Sequence, residues 1–323
     1  MNRPGFTSVF AEDFDSYIDY RENCGVKAEA DYTDLRKLDR FLASKDLDAK
    51  RFPPELADEW MLPLPNESPL GHYKRINNSK RFISYLFVKG YEVFVIRDIR
   101  SPRTDFIPHI YSKDETERYF RCVDTYASSI NKYHAVQLPI LFRLLCCCGT
   151  RIGETLFIRK KDVDLEEGII KLCETKNTKE RYVVMSESLR ILFLEFSDKV
   201  FYLLNDEDYI FRNCHGQRLR QESVEDIHTK ILRHAGIPKN DDGPRIHDWR
   251  HTFAVRAFKQ LSDMGYDMYV SLPVLSSYLG HGTIMATEKY LRLTLDLYPE
   301  LMEKYQNHID KVFKEEKDER QAD

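Results

Sequence analysis

A chain of 323 residues can bury two separate cores, and a composition 42% hydrophobic and 32% charged is that of an ordinary globular protein. No apolar run approaches bilayer length, Met1-Asn2-Arg3-Pro4 begins no signal peptide, and the seven cysteines lack CxxC spacing, with Cys146, Cys147 and Cys148 consecutive. Membrane spanning and a disulfide scaffold are excluded, and a reducing, cytoplasmic setting is expected. The net charge of -4 argues mildly against a nucleic-acid partner, but Glu315, Glu316, Asp318, Glu319 and Asp323 concentrate negative charge in the tail, where it is solvated.

Residues 1 to 105 read as a small helical unit. Asp34 to Leu42 carries Leu35, Leu38 and Leu42 at helical spacing with Phe41 beside them, and Glu55 to Met61 is a shorter helix between proline stops. A longer helix is expected from Pro69 to Lys89. It mixes Tyr73, Ile76, Phe82, Tyr85, Leu86 and Val88 with Lys74, Arg75, Lys80, Arg81 and Lys89. Such a segment is either a core helix with a solvated basic face or one laid on DNA backbone, where lysine and arginine displace counterions. Arg97 to Pro108 follows as a basic linker, with Arg97, Arg100 and Arg103, in which Pro102 and Pro108 prevent helix.

A second domain, 106 to 323, opens on the capping box Ser112-Lys113-Asp114-Glu115. An almost wholly apolar helix runs from Tyr133 to Cys148 and stops at Gly149; its cysteines read as small buried side chains. Arg151 comes directly after, so the core holds it in place. Strands are expected at Val163 to Leu165, Ile169 to Cys173 and Arg181 to Met185, the last two joined by a polar hairpin tip that carries Lys176. Helices resume at Leu189 to Phe201, at Ser223 (as cap) to Ala235, and around His247 to Phe258. Beyond Tyr290, an apolar stripe of Tyr298, Leu301, Met302, Tyr305, Ile309 and Val312 describes a final amphipathic helix.

In order, then, the chain presents Arg151, Lys176, His247-x-x-Arg250, His281 and Tyr290. This series resembles the tyrosine recombinase (phage integrase) family, whose catalytic domain carries Arg, Lys, His-x-x-Arg, His or Trp, and Tyr in that order. The local wording is similar as well: Gly149-Thr150-Arg151-Ile152-Gly153-Glu154, Lys176-Asn177-Thr178-Lys179-Glu180-Arg181, His247-Asp248-Trp249-Arg250-His251 and Leu279-Gly280-His281. Thr150 departs from the aliphatic residue common there. The resemblance covers about residues 112 to 312, and residues 1 to 105 look like the family's helical core-site DNA-binding domain.

The resemblance implies a mainly α fold with a small antiparallel β-sheet (α+β) and a bacterial, nucleoid-associated enzyme. Such an enzyme cuts and rejoins DNA through a covalent 3′-phosphotyrosine, in integration, excision, transposition or multimer resolution. It implies double-stranded DNA with a specific core site as partner, a homotetramer formed on DNA by exchange of the C-terminal helix, and accessory or sister recombinases. Lys176 would protonate the leaving 5′-oxygen, His247 would act as base near the tyrosine, and His281 would donate a hydrogen bond to the phosphate. Glu154 would orient Arg151.

The residue chemistry agrees with that reading. A free phenol with a pKa of ~10 is about one part in a thousand ionised near neutrality, so Tyr290 needs a proton acceptor and a positive setting. Arg151 and Arg250 can clamp two phosphate oxygens with a fork that lysine cannot copy. Such cations supply the charge a metal would bring, and no G-x-x-x-x-G-K-[ST] loop is present, so no metal or nucleotide cofactor is expected. His247 and His251 have zinc-ligand spacing but no third ligand. Two alternatives stay open, a type IB topoisomerase and a non-catalytic DNA-binding accessory protein.

Overall fold

The computed structural model describes residues 5–26, 29–45, 47, 49–102, 106–126, 131, 133–173, 180–240 and 243–301. The chain divides into two compact units, Met1–Asp105 and Phe106–Asp323.

The first unit holds α1 (Ala11–Asn23), α2 (Glu29–Ala43), α3 (Pro54–Trp60) and α4 (Pro69–Val88). α4 starts where it does because Ser68 Oγ accepts the Gly71 N–H at 3.1 Å and Pro69, which has no amide hydrogen, fits the first turn. α1 is not anticipated by the sequence reading. Its buried Phe10, Phe14, Tyr17 and Ile18 do recur at helical spacing, but Glu12, Asp13 and Asp15 dilute the pattern. Inside, the Phe14 and Phe82 rings stack with centroids 4.0 Å apart, among Leu35, Leu38, Trp60 and Leu86.

The second unit begins with α5 (Lys113–Asp124), α6 (His134–Cys147) and α7 (Ile152–Leu156). Both halves of the expected capping box form at α5: Glu115 N–H donates to Ser112 Oγ at 3.1 Å, and Ser112 N–H to Glu115 Oε2 at 2.8 Å. α6 is the central helix, packed against α5 and buried along Leu138, Leu141, Phe142, Leu144 and Leu145. Cys146 and Cys148 point inward as expected, but Cys147 is exposed, because three consecutive positions sweep about 200° of helix and cannot share one core. Gly149 ends the helix at φ +59°, and any Cβ there would run into the Phe253 ring.

Strands β1 (Val163–Asp164), β2 (Ile169–Leu172) and β3 (Arg181–Val184) form one antiparallel sheet in sequence order, with Leu172 opposite Arg181. Next come α8 (Glu187–Val200), capped by Ser186, and α9 (Gln221–His234). Ser223 does not cap α9. The first helical bond runs from Val224 N–H to Arg220 O, which leaves Ser223 inside the first turn.

The unit closes with α10 (Asp248–Asp263), α11 (Met268–Leu279) and α12 (Met285–Leu297), mutually packed around Ala254, Phe258, Leu272, Leu275, Leu279 and Tyr290. The N-terminal end of α10 is fixed in turn by Trp249, stacked on Tyr111 at 3.8 Å, and by Thr252, whose hydroxyl accepts the Tyr111 N–H at 3.0 Å. Leu301 is buried, and the rest of the expected final stripe, from Met302 on, lies outside the described residues. No helix among the described residues is long and apolar enough to cross a membrane.

Candidate active site

Arg250 sits in the first turn of α10 with only 1% of its surface exposed. Its Nη1 donates to Gly149 O at 2.7 Å and its Nη2 to Leu279 O at 2.5 Å, so one guanidinium joins the ends of α6 and α11. Nη2 also lies 3.0 Å from His281 Nε2, while Nε has no partner among the described residues. Burial first, and then repulsion by Arg151, push this guanidinium down to about 10, so it stays protonated at neutral pH.

Arg151 caps the start of α7 and is held from three sides. Its backbone N–H donates to Glu154 Oε2 at 3.1 Å, its guanidinium pairs with Glu154 Oε1, and Nη2 donates to Gly280 O at 3.1 Å. Glu154 is 2% exposed and also takes the Arg181 guanidinium at 2.7 Å. Burial alone would raise this carboxyl; Arg181 first and Arg151 second outweigh it and hold the group below its ordinary value. Glu154 thus orients Arg151 with fixed geometry.

Gly280 turns the chain at φ +65° between α11 and His281. Because Arg250 can only donate, the neutral His281 ring accepts at Nε2 and carries its proton on Nδ1, 2.6 Å from Thr287 Oγ1. Desolvation, then Arg250 and Arg151, lower this imidazole to about 4.

Tyr290 is on α12, 1% exposed, with its ring 5.2 Å from that of His251 and stacked on His281 at 5.9 Å. Lys289 Nζ lies 5.1 Å from the Tyr290 ring centre. Burial raises the phenol above its ordinary value, and the positive charges of Arg250 and then Arg151 offset part of that rise. His251 stacks edge-on against His247 at 4.9 Å, and its Nδ1 has no partner among the described residues. Desolvation and neighbouring positive groups lower His247 to about 4, while desolvation and then His247 lower His251 to about 3. Two guanidiniums, three neutral imidazoles and a phenol therefore meet in one cluster.

A phage integrase family model matches residues 112–295. The chain belongs to this family, the tyrosine recombinases. A candidate integrase/recombinase of Sinorhizobium fredii (strain NBRC 101917 / NGR234) is 26% identical over 299 residues, 90% of this chain and 94% of that one. Tyrosine recombinase XerC of Staphylococcus saprophyticus is 24% identical over 272 residues, 81% and 85% of the two chains. A lambda integrase dimer bound to a core site shares the fold at a TM-score of 0.61 and 15% identity, covering 86% of this chain and 94% of that one. The protein is thus an enzyme of site-specific DNA recombination.

Against that family pattern, Arg151, His247, Arg250, His281 and Tyr290 come together, while Lys176, between β2 and β3, lies outside the described residues. Two side chains built into the site are given no part in cleavage by the sequence, His251 being weighed only as a zinc partner of His247. Arg181 is legible only as the residue that ends the Lys176 segment, and His251, which packs on the tyrosine, only as the second histidine of His-x-x-Arg-His.

The basic residues of the first unit separate into different groups. Arg75 is a correction: it is wholly buried, with Nε on Glu67 at 2.7 Å, Nη1 on Trp60 O at 2.7 Å and Nη2 on Leu62 O at 2.8 Å. It also lies 4.4 Å from the Trp60 ring, so every nitrogen is used and none reaches a phosphate. The helix phase explains this, since Arg75 adjoins Ile76 and Ser79 on the inward face of α4. Lys80 pairs with Asp98 at 2.5 Å and Arg97 with Asp58 at 3.6 Å. Lys74, Arg81 and Arg100 are exposed, and Arg103 lies outside the described residues.

Proposed function

We propose that this tyrosine recombinase cleaves one strand of a double-stranded core site with Tyr290 as nucleophile. The observation that carries the reading is the convergence of Arg151, Arg250 and His281 around the Tyr290 ring. The phenolic oxygen forms a bond to phosphorus as the P–O5′ bond breaks, and the departing electron pair on O5′ takes a proton. A 3′-phosphotyrosine and a free 5′-hydroxyl result, and attack by another 5′-hydroxyl reverses the step with no outside energy source. Arg151 and Arg250 hold the non-bridging oxygens, where charge grows in the transition state. The family pattern gives proton donation to Lys176 and proton acceptance to His247, with His251 as the imidazole that packs on the phenol.

His281 changes role on this path. In the DNA-free protein its Nε2 accepts from Arg250. An incoming phosphate competes for that guanidinium, and its negative charge raises the imidazole from about 4, so that a proton on Nε2 turns His281 into a donor to the phosphate.

The proposal extends to assembly. A lambda integrase tetramer bound to a Holliday junction shares this fold at a TM-score of 0.60. Four copies of the present chain on core-site DNA, exchanging their C-terminal segments, fit a mobile or replicating element that is integrated, excised, transposed or resolved. Residues 1–105 serve as the core-site DNA-binding domain and 106–323 as the catalytic domain.

Duplexes tiled across the DNA flanking the gene test the chemistry. The wild-type protein is expected to form an SDS-resistant adduct on a duplex with inverted repeats around a short spacer, and Tyr290→Phe to bind that duplex without forming one. An adduct with Tyr290→Phe assigns the nucleophile elsewhere. Lys176→Ala is expected to cleave poorly unless sulfur replaces the 5′-bridging oxygen, since a thiolate leaves without protonation. Absence of rescue on that substrate removes Lys176 from the acid role.

A further inference from the structure

Arg181 belongs to none of the positions that the family pattern names, yet it joins three parts of the site. It opens β3, its side chain is 9% exposed, and its two terminal nitrogens go to different elements: Nη2 to Glu154 Oε2 at 2.7 Å, Nη1 to Tyr278 O at 2.7 Å. Its stem fills the space beside Gly280, where an added Cβ would lie 2.9 Å from Arg181 Cδ and 3.1 Å from Nε. One planar fork therefore links the carboxylate that orients Arg151 to the end of α11, one turn before His281.

Charge makes this link more than a brace. Glu154 is a buried carboxylate shared by two guanidiniums, Arg151 and Arg181. With both present, one positive charge offsets Glu154 and the other is left over, in addition to Arg250. Take Arg181 away and Glu154 cancels Arg151, leaving Arg250 as the one uncompensated guanidinium of this group. At short range in a partly desolvated site, a charge that is already spent on a carboxylate does much less for an oxyanion.

We propose that Arg181 is a positioning residue for strand cleavage: it neutralises Glu154 so that the charge of Arg151 is free for the scissile phosphate, and it holds the Arg151 and His281 segments at one spacing. The proposal rests on the assignment of Arg151 as a phosphate clamp. It acts through Glu154, which gives it a distinctive genetic signature.

The test is single-turnover cleavage by the full chain on the flanking duplex that yields the wild-type adduct. Arg181→Gln is expected to slow cleavage by about 100-fold, the scale of losing one preorganised electrostatic contact. Adding Glu154→Gln removes the carboxylate that Arg181 offsets, so the double variant is expected to be about tenfold faster than Arg181→Gln alone, a recovery that damage to packing cannot produce. A double variant no faster than the single one overturns the proposal, as does Arg181→Gln cleaving at the wild-type rate. If Arg181→Gln does not fold, Arg181→Lys decides. Its defect must shrink on a duplex with an uncharged methylphosphonate at the cleaved position, which asks less of Arg151, and an equal defect on both duplexes overturns the proposal. Failure of the wild-type protein to form any adduct would count against the functional reading, before Arg181 is at issue.

Discussion

Arg75 in the first unit and Arg250 in the second are both buried arginines, at 0% and 1% exposure, yet only one is fitted for chemistry. Arg75 spends all three nitrogens on Glu67 and on two carbonyls, with a carboxylate to cancel its charge. Arg250 spends its donors on the neutral carbonyls of Gly149 and Leu279 and leaves Nε without a partner among the described residues. A carbonyl fixes a guanidinium without neutralising it, whereas a carboxylate does both. What a buried cation can do is therefore set by the charge of its partners, and the residue type alone does not reveal it.

The largest expected loss is at Arg250. Arg250→Lys keeps the charge but loses the fork that holds Gly149 and Leu279 and that the proposed cleavage step aims at the phosphate, so cleavage should fall by about 100- to 1,000-fold in single-turnover assays. A loss of only a few-fold would mean that charge suffices and geometry does not matter. Arg75→Ala should act on stability, by about 3–5 kcal/mol in denaturant unfolding of the first unit, because it strands the buried Glu67 carboxylate. Among molecules still folded, the salt dependence of DNA binding should be unchanged. Lys74→Ala or Arg81→Ala, at exposed positions, should instead reduce the salt slope by about 1 each if they contact phosphate. Identical behaviour of Arg75 and Lys74 in that assay would erase the distinction.

A further expected effect is on pH. His247, His251 and His281 are held at about 4, 3 and 4 in the folded protein, against ~6.5 for a free imidazole. Between those values the unfolded chain binds protons that the folded chain refuses. Their contribution is complete above about pH 6.5 and is lost as pH falls toward 4; the depressed Glu154 carboxyl is lost in the same direction, below its own unfolded range. The melting temperature without DNA should therefore drop from pH 7 to pH 5, and the drop should be smaller with core-site DNA bound, since phosphate favours the protonated His281. A flat profile without DNA would show that these rings are solvated and not desolvated by the site.

Much of the fold was legible in the sequence because its signals are short-range. Ser112 and Glu115 satisfy each other's amides three residues apart, the run before Gly149 is apolar whatever surrounds it, and β2 and β3 are short runs rich in β-branched residues. α1 and the cap of α9 were not, since acidic neighbours hid one period and a nearby serine stood in for the true start of the other.

From the sequence alone came the order Arg151, Lys176, His247, Arg250, His281, Tyr290, and with it the family and its chemistry. Tertiary structure alone decided which cations are spent, Arg75 on Glu67 and Arg181 on Glu154 with a second bond to Tyr278, 97 residues away, and it alone packed the neutral His251 ring against Tyr290. The reason is physical. Helix and turn signals act over a few residues, but the partners that neutralise or expose a charge are brought together by packing between segments far apart in the chain.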